Sequence, residues 1–221
     1  TRDYLYPADK IPRFVTEFGM QALPNMETIK TFCPQNKLKI ANLAVEKHNH
    51  QTDGNARLAR YNSELFPPPA NLKQWVYLSQ LTQARSVKTH IEHLRAHPQR
   101  NHGVMFWQLN DCSPAISWAC MDYRQQPKAL YYYARRFYSP LLITAVPVYK
   151  EIPVGPDVPK LSALSVIARN DTPQPLTANL KCTLMDLNAN KIDQVSLPAA
   201  ITPYACTNPV KIPDEILNPE D

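Results

Sequence analysis

Two short apolar runs, Arg13 to Phe18 and Gly103 to Leu109, limit the fold more than any other feature, because each leads through a polar stretch into a helical pattern. After the first run, residues 25–32 suit a short helix. Residues 33–70 form a long polar stretch closing in Pro67-Pro68-Pro69, and a loop of that length in a compact enzyme usually carries function. A long helix is then expected from Asn71, a fitting N-cap, to His97. Tyr77, Leu81, Ala84, Val87, Ile91 and Leu94 recur at helical spacing, and Pro98 stops the pattern. Pro127 opens a second helix that runs to Phe137. The order β, loop, long α, β, loop, α gives two β/α units. Such units build a parallel sheet whose working loops follow the C-terminal ends of the strands.

The pattern changes after residue 138. Leu176, Ala178, Leu180, Cys182 and Leu184 alternate with polar residues, as in a half-buried antiparallel strand. Residues 188–191 supply a turn into a partner strand over residues 192–197, and residues 141–148 and 161–168 read as further strands. Twelve of the 22 prolines fall in residues 139–221, which sets a boundary between a first domain over 1–138 and a second over 139–221. Residues 203–221 are rich in proline and show no alternation. Four strands are fewer than the roughly seven of an immunoglobulin-like sandwich, so the second domain reads as partial. Two β/α units cannot close a barrel of eight. Standing alone they would expose Phe14, Phe18, Val104 and Phe106, so the expected cover is the remainder of the same polypeptide.

Composition removes several functions. The net charge is +5, but Lys and Arg are scattered, with no basic stripe interleaved with aromatics, and no nucleic-acid partner is expected. Nothing approaches a span of about 20 uncharged residues, so no membrane-spanning helix is expected. The five cysteines form no CxxC pair, which argues against a zinc site or a disulfide scaffold and leaves the compartment open. His90, His93 and His97 share a helix face and read as solvated rather than as metal ligands. His48-Asn49-His50 spells a nuclease-like triplet without the surrounding pattern, and Asn170-Asp171-Thr172 is a glycosylation sequon weakened by Pro173.

Chemistry concentrates at the ends of the two apolar runs. Glu17 precedes Gly19 at the end of the first; Trp107, Asn110 and Asp111 end the second. A carboxylate can attack an anomeric carbon, and an indole can pack on the C–H face of a sugar. Asn110 and Asp111 can bind hydroxyls. By themselves these residues also suit a structural role.

The motifs resemble those of glycoside hydrolase family 2, in its β-mannosidase branch. Arg13-Phe-Val-Thr-Glu-Phe-Gly-Met-Gln21 is similar to the nucleophile strand, and Phe106-Trp-Gln-Leu-Asn-Asp111 to the eighth barrel strand. Trp75 to Ala84 with Val87-Lys88-Thr89 resembles the seventh barrel helix, and Lys128-Ala-Leu-Tyr-Tyr132 through Phe137 and Pro140 the last helix and exit segment. The resemblance runs in order from about residue 12 to 142. It implies the C-terminal portion of a TIM (β/α)8 barrel followed by a partial immunoglobulin-like β-sandwich, an α/β plus all-β chain. It implies Glu17 as the catalytic nucleophile, Trp107 as the floor of the cleaved sugar's subsite, and Asn110 and Asp111 as its polar end. The loop Glu46 to His50 with Gly54-Asn55 would shape the rim, bringing His50 to the substrate. The implied activity is retaining exo-β-mannosidase, acting on β-mannoside oligosaccharides with no cofactor and no metal. The second carboxyl, the proton donor, follows an Asn on the family's fourth strand, and no acidic residue here takes its place. Ser113-Pro114 stands where the family has Trp-Pro, and Arg124 to Pro127 where an aromatic is commoner, so the pocket wall departs from the pattern. Another family 2 exo-glycosidase of β-galactosidase, glucuronidase or exo-glucosaminidase type, and a non-catalytic binding module, remain open as alternatives.

Overall fold

In the computed structural model, which describes residues 10–34, 37–40, 42–149, 161–213 and 217, the two apolar runs of the first half lie side by side. They are parallel. Backbone N–H groups of His102, Val15 and Met105 donate to the carbonyls of Arg13 (2.8 Å), Gly103 (2.9 Å) and Val15 (2.9 Å), and Val15 bridges Val104. The expected strands are thus extended segments joined by a few bonds and one bridge, not long ladders. A methyl at Gly103 would overlap the half-exposed Phe14 ring and push it aside.

Helix α1 (Met26–Phe32) follows the first segment. The stretch 33–70 is not the unstructured loop that its polarity suggested. It contains α2 (Leu43–Glu46), capped by the Asn42 side chain accepting from Ala44 N–H at 2.7 Å, and α3 (Gly54–Ser63). The inward positions of α3 are Gly54, Leu58 and Asn62, so it has no apolar stripe to read. Asn62 is held instead by a hydrogen bond from Thr82 Oγ1 (3.1 Å).

Helix α4 (Leu72–Arg95) starts as expected, with Asn71 Oδ1 accepting from Gln74 N–H at 2.9 Å. Ala84, Val87, Ile91 and Leu94 are buried on its inner face. They form one core with Ile11, Val104, Cys120 and with Leu130 and Phe137 of α5 (Ala129–Phe137), and Val15, Phe18 and Phe106 pack against it. Tyr77 departs from the expected stripe at 61% exposed. The inner face near the start of α4 is centred on Val76 and on Ser79 and Gln83, the last two being polar positions that an apolar count does not register. His90, expected in solvent, is buried with its ring centre 4.2 Å from that of Phe18.

The described residues divide into two compact units, residues 1–94 with 100–138 and residues 95–99 with 139–221. In the second, β1 (Leu141–Tyr149) pairs antiparallel with β2 (Leu161–Asn170), and β3 (Leu176–Met185) with β4 (Lys191–Ile201). The proline-rich tail, read as patternless, supplies β5 (Ala205–Cys206) and β6 (Val210–Lys211), which both pair with β2. Val166, Ala168, Leu180, Ala199, Ile201 and Ile212 make the core of this unit. Asn170 lies in it with no exposed surface, donating to Gln174 O (2.7 Å) and Thr202 O (3.4 Å). Arg95 Nη2 meets Asp171 Oδ2 at 2.6 Å, and Arg169 pairs with the same carboxylate.

Candidate active site

The pairing of the two extended segments changes register between Val15 and Phe18. With Met105 N–H on Val15 O, an unbroken parallel ladder places the next N–H, that of Trp107, on the carbonyl of residue 17. Trp107 donates instead to Phe18 O, at 2.8 Å. One extra residue has entered the first segment, as in a β-bulge. Burial follows this shift. Val15 packs on the core, Thr16 and Glu17 are both exposed, and Phe18 returns to the core. Strict alternation would have sent Glu17 inward with Val15, so the bulge is what turns its carboxylate outward.

The second segment alternates without interruption. Val104 and Phe106 face the core, whereas Met105, Trp107 and Leu109 are 50%, 50% and 63% exposed. Glu17 and the Trp107 indole therefore emerge on the side of the paired segments away from the helices. The faces expected to be bare were Phe14, Phe18, Val104 and Phe106; only Phe14, at 51%, is exposed, and the bare row runs through Met105, Trp107 and Leu109 instead. Gly19 sits against the Trp107 carbonyl so closely that a methyl there would overlap it. The Trp107–Gln108 peptide is cis.

Beyond Trp107 the chain turns inward. Asn110 is exposed, with its side-chain amide donating to Asp111 O at 3.3 Å. Asp111 is buried, and both carboxylate oxygens are occupied: Oδ1 accepts from Gln108 Nε2 (3.2 Å) and Oδ2 from Ser117 Oγ (2.7 Å). Burial raises its pKa, against the opposing pull of the Ser117 bond and the charge of Lys128. Asp111, expected to bind hydroxyls, thus has both oxygens engaged within the turn.

Lys128, which sequence reasoning treated only as part of a helix motif, is fully buried. Its Nζ donates to Ala22 O (3.3 Å) and Ser117 O (3.2 Å). Burial lowers its pKa from 10.5 to about 8, against the charges of Asp111 and Asp122, which raise it. Asp122 is also buried, and its Oδ2 accepts from Asn25 N–H (3.1 Å), Asn25 Nδ2 (3.0 Å) and Thr28 Oγ1 (2.8 Å). Its Oδ1 accepts from the N–H groups of Arg124 (3.0 Å) and Gln126 (3.1 Å). The loops that follow the two segments are therefore tied to each other by buried polar groups. α4 adds to the tie through Gln83 Nε2, which donates to Met20 O (2.8 Å) and Trp118 O (3.0 Å).

His50 is exposed on its loop, and its neighbour Asn49 does the anchoring. Asn49 exchanges side-chain amide bonds with Gln21 (3.0 and 3.2 Å), donates to Asn55 Oδ1 (2.9 Å) and bridges Ile116. His48 stacks on Phe32 at 3.8 Å and places Nδ1 2.8 Å from Ala44 O, so the His-Asn-His triplet is a structural clasp. A cleft of about 690 Å³, counting its open mouth, runs between Gly19, Gln21, Arg57, His90 and Trp118. Neither Glu17 nor Trp107 lines it. Among the described residues no group of three or more His, Cys, Asp or Glu could hold a metal ion, and no helix is long and apolar enough to cross a membrane.

No family model matches the chain. Over 135 residues it is 36% identical to the β-mannosidase B of Aspergillus terreus and, equally, to that of Aspergillus niger, a match covering 59% of this chain and 16% of either protein. Over those 135 residues the chain is a homologue of these β-mannosidases. These relatives are glycoside hydrolases by name, and the chain spans 16% of their length. Among solved structures it resembles the β-D-mannosidase of Dictyoglomus thermophilum, with a TM-score of 0.74 and 28% identity over 88% of this chain and 23% of that one. The exo-chitosanase of Amycolatopsis orientalis shares the fold, with a TM-score of 0.73 and 20% identity over 95% of this chain and 25% of that one.

Proposed function

We propose that this chain carries the nucleophile side of a retaining exo-β-mannosidase, with Glu17 as nucleophile and Trp107 as the floor of the sugar subsite. In this reading residues 1–138 are the seventh and eighth units of a (β/α)8 barrel, and residues 139–221 begin an immunoglobulin-like sandwich. The observation that supports it is the register break before Phe18, which leaves Glu17 exposed next to a segment whose Trp107 is exposed too. Bulges of this kind occur beside active sites because they re-aim one side chain.

The chemistry needs two carboxyl groups roughly 5–5.5 Å apart. A Glu17 oxygen bonds to the anomeric carbon as the glycosidic C–O bond breaks, and a second carboxyl protonates the departing oxygen. Water, deprotonated by that second group, then releases the sugar from Glu17. The second carboxyl lies outside these 221 residues, in the remainder of the polypeptide, so the chain by itself turns over no aryl β-mannoside. Asn110 is open to sugar hydroxyls and His50 belongs to the rim, while Asp111 holds the turn that presents Asn110.

A 2-deoxy-2-fluoro-β-mannoside with a dinitrophenolate leaving group tests this in the full polypeptide, because such a leaving group needs no proton donor. Peptide mapping is expected to find the label on Glu17. Label on any other residue, or none, defeats the assignment. The likeness in fold to an exo-chitosanase makes exo-glucosaminidase the second reading, and faster turnover of an aryl β-glucosaminide than of the mannoside would favour it.

A further inference from the structure

We propose that Lys128 is a positioning residue for the Glu17–Trp107 pair, its ammonium clasping the carbonyls of Ala22 and Ser117 on the loops that follow the two segments. The inference rests on the reading of Glu17 as nucleophile. Ala22 and Ser117 already bond each other across an antiparallel bridge, N–H to O at 2.9 and 3.3 Å. Each carbonyl therefore accepts twice, and Lys128 fastens a junction that backbone pairing alone would leave free to shear. From Ser117 the connection continues through its hydroxyl to Asp111 Oδ2 (2.7 Å) and from Asp111 Oδ1 to Gln108 (3.2 Å), the residue after Trp107. On the other side, Ala22 lies three residues beyond Gly19, which is seated on the Trp107 carbonyl.

Stability is a poor reason for this arrangement. Taking an ammonium out of water is costly, and an apolar side chain of similar volume often does as well or better in such a place. What an aliphatic chain cannot do is fix two carbonyls at once. A displacement of about 1 Å at reacting groups costs on the order of 100-fold in rate, so a cation that fixes the junction has a use that its cost to stability does not contradict. The charged and titratable groups facing Lys128 are Asp111, Asp122 and Cys120.

The dinitrophenyl fluoro-mannoside, used on the full polypeptide, separates position from stability. Lys128→Met is expected to lower the first-order labelling constant at Glu17 by about tenfold or more, with the half-saturating concentration nearly unchanged. In the unsubstituted enzyme Lys128 loses its proton as pH rises through about 8; the neutral amine keeps an N–H for each carbonyl but donates more weakly, so the labelling constant should fall. Resistance to urea should rise over the same range, because the folded state releases that proton before the unfolded chain does. Rate and stability moving in opposite directions is a result that a merely structural lysine does not give. An unchanged labelling constant in folded Lys128→Met overturns the proposal, as does a flat rate across that pH range in the unsubstituted enzyme, which needs no variant to fold. Absence of label on the unsubstituted enzyme defeats the Glu17 reading itself, and is thereby told apart from failure of the Lys128 role alone.

Discussion

The Trp107 amide bonds to the carbonyl of Phe18, one residue beyond where an unbroken ladder would reach. That single slip decides whether Glu17 faces the core or the open side. Deleting Thr16 should restore the regular ladder with Phe18 still inward, and draw Glu17 back into the outward place that Thr16 now holds. Such a displacement of a reacting group costs on the order of 100-fold in rate. We expect the labelling constant at Glu17 to fall by about that factor while the urea midpoint holds; an unchanged labelling constant would refute the bulge as the device that sets the place of this carboxylate.

Asp122 accepts five hydrogen bonds, from Asn25 twice and from Thr28, Arg124 and Gln126 once each. Asp122→Ala strands those donors in a buried place. The expected destabilisation is about 3 kcal/mol, read by urea unfolding. Asp122→Asn should recover part of it, since its one remaining carbonyl oxygen still accepts.

The second unit should weaken in acid through Asp171. Burial works against its charge, but bonds and charges from Arg169 and Arg95 win and hold its carboxyl below the ordinary 3.8. A carboxyl with a depressed folded-state pKa adds stability that is present above the unfolded value and lost as pH falls through the folded one. Unfolding of residues 139–221 followed between pH 6 and 2 should show this loss. Asp171→Asn should remove that part of the acid dependence, at a cost of about 1 kcal/mol at neutral pH.

Asn170 should carry no glycan. Its amide is buried and engaged with Gln174 O and Thr202 O, so glycosylation would have to precede folding and then prevent it. Intact mass after expression in a glycosylating host should show this sequon unoccupied.

Much of the architecture was legible because it follows from period. Strand β3 repeats apolar residues at a spacing of two and helix α4 at three to four, β1 and β2 stand out as apolar runs, and Asn71 caps α4 where its side chain predicts. The elements that escaped notice lack such a repeat. Helix α3 turns Gly54 and Asn62 inward, and β5 and β6 have two residues each. At the site, the residue types at the ends of the two runs pointed to Glu17 and Trp107, but not to the bulge, which leaves no mark in composition. The buried partners of Asp111 and Lys128 went unseen for one reason: a sequence does not show which polar side chains are engaged inside. Two acids and a lysine close in sequence, Asp111, Asp122 and Lys128, were the available hint.

The uninterrupted alternation from Val104 to Leu109 has a consequence for how such a chain can evolve. Residues that hold the fold together and residues that look outward never share a position along it, so Met105, Trp107 or Leu109 can be exchanged without opening a void among Ile91, Leu130 and Phe137. New side chains can be tried on one side of this segment at little risk to the other.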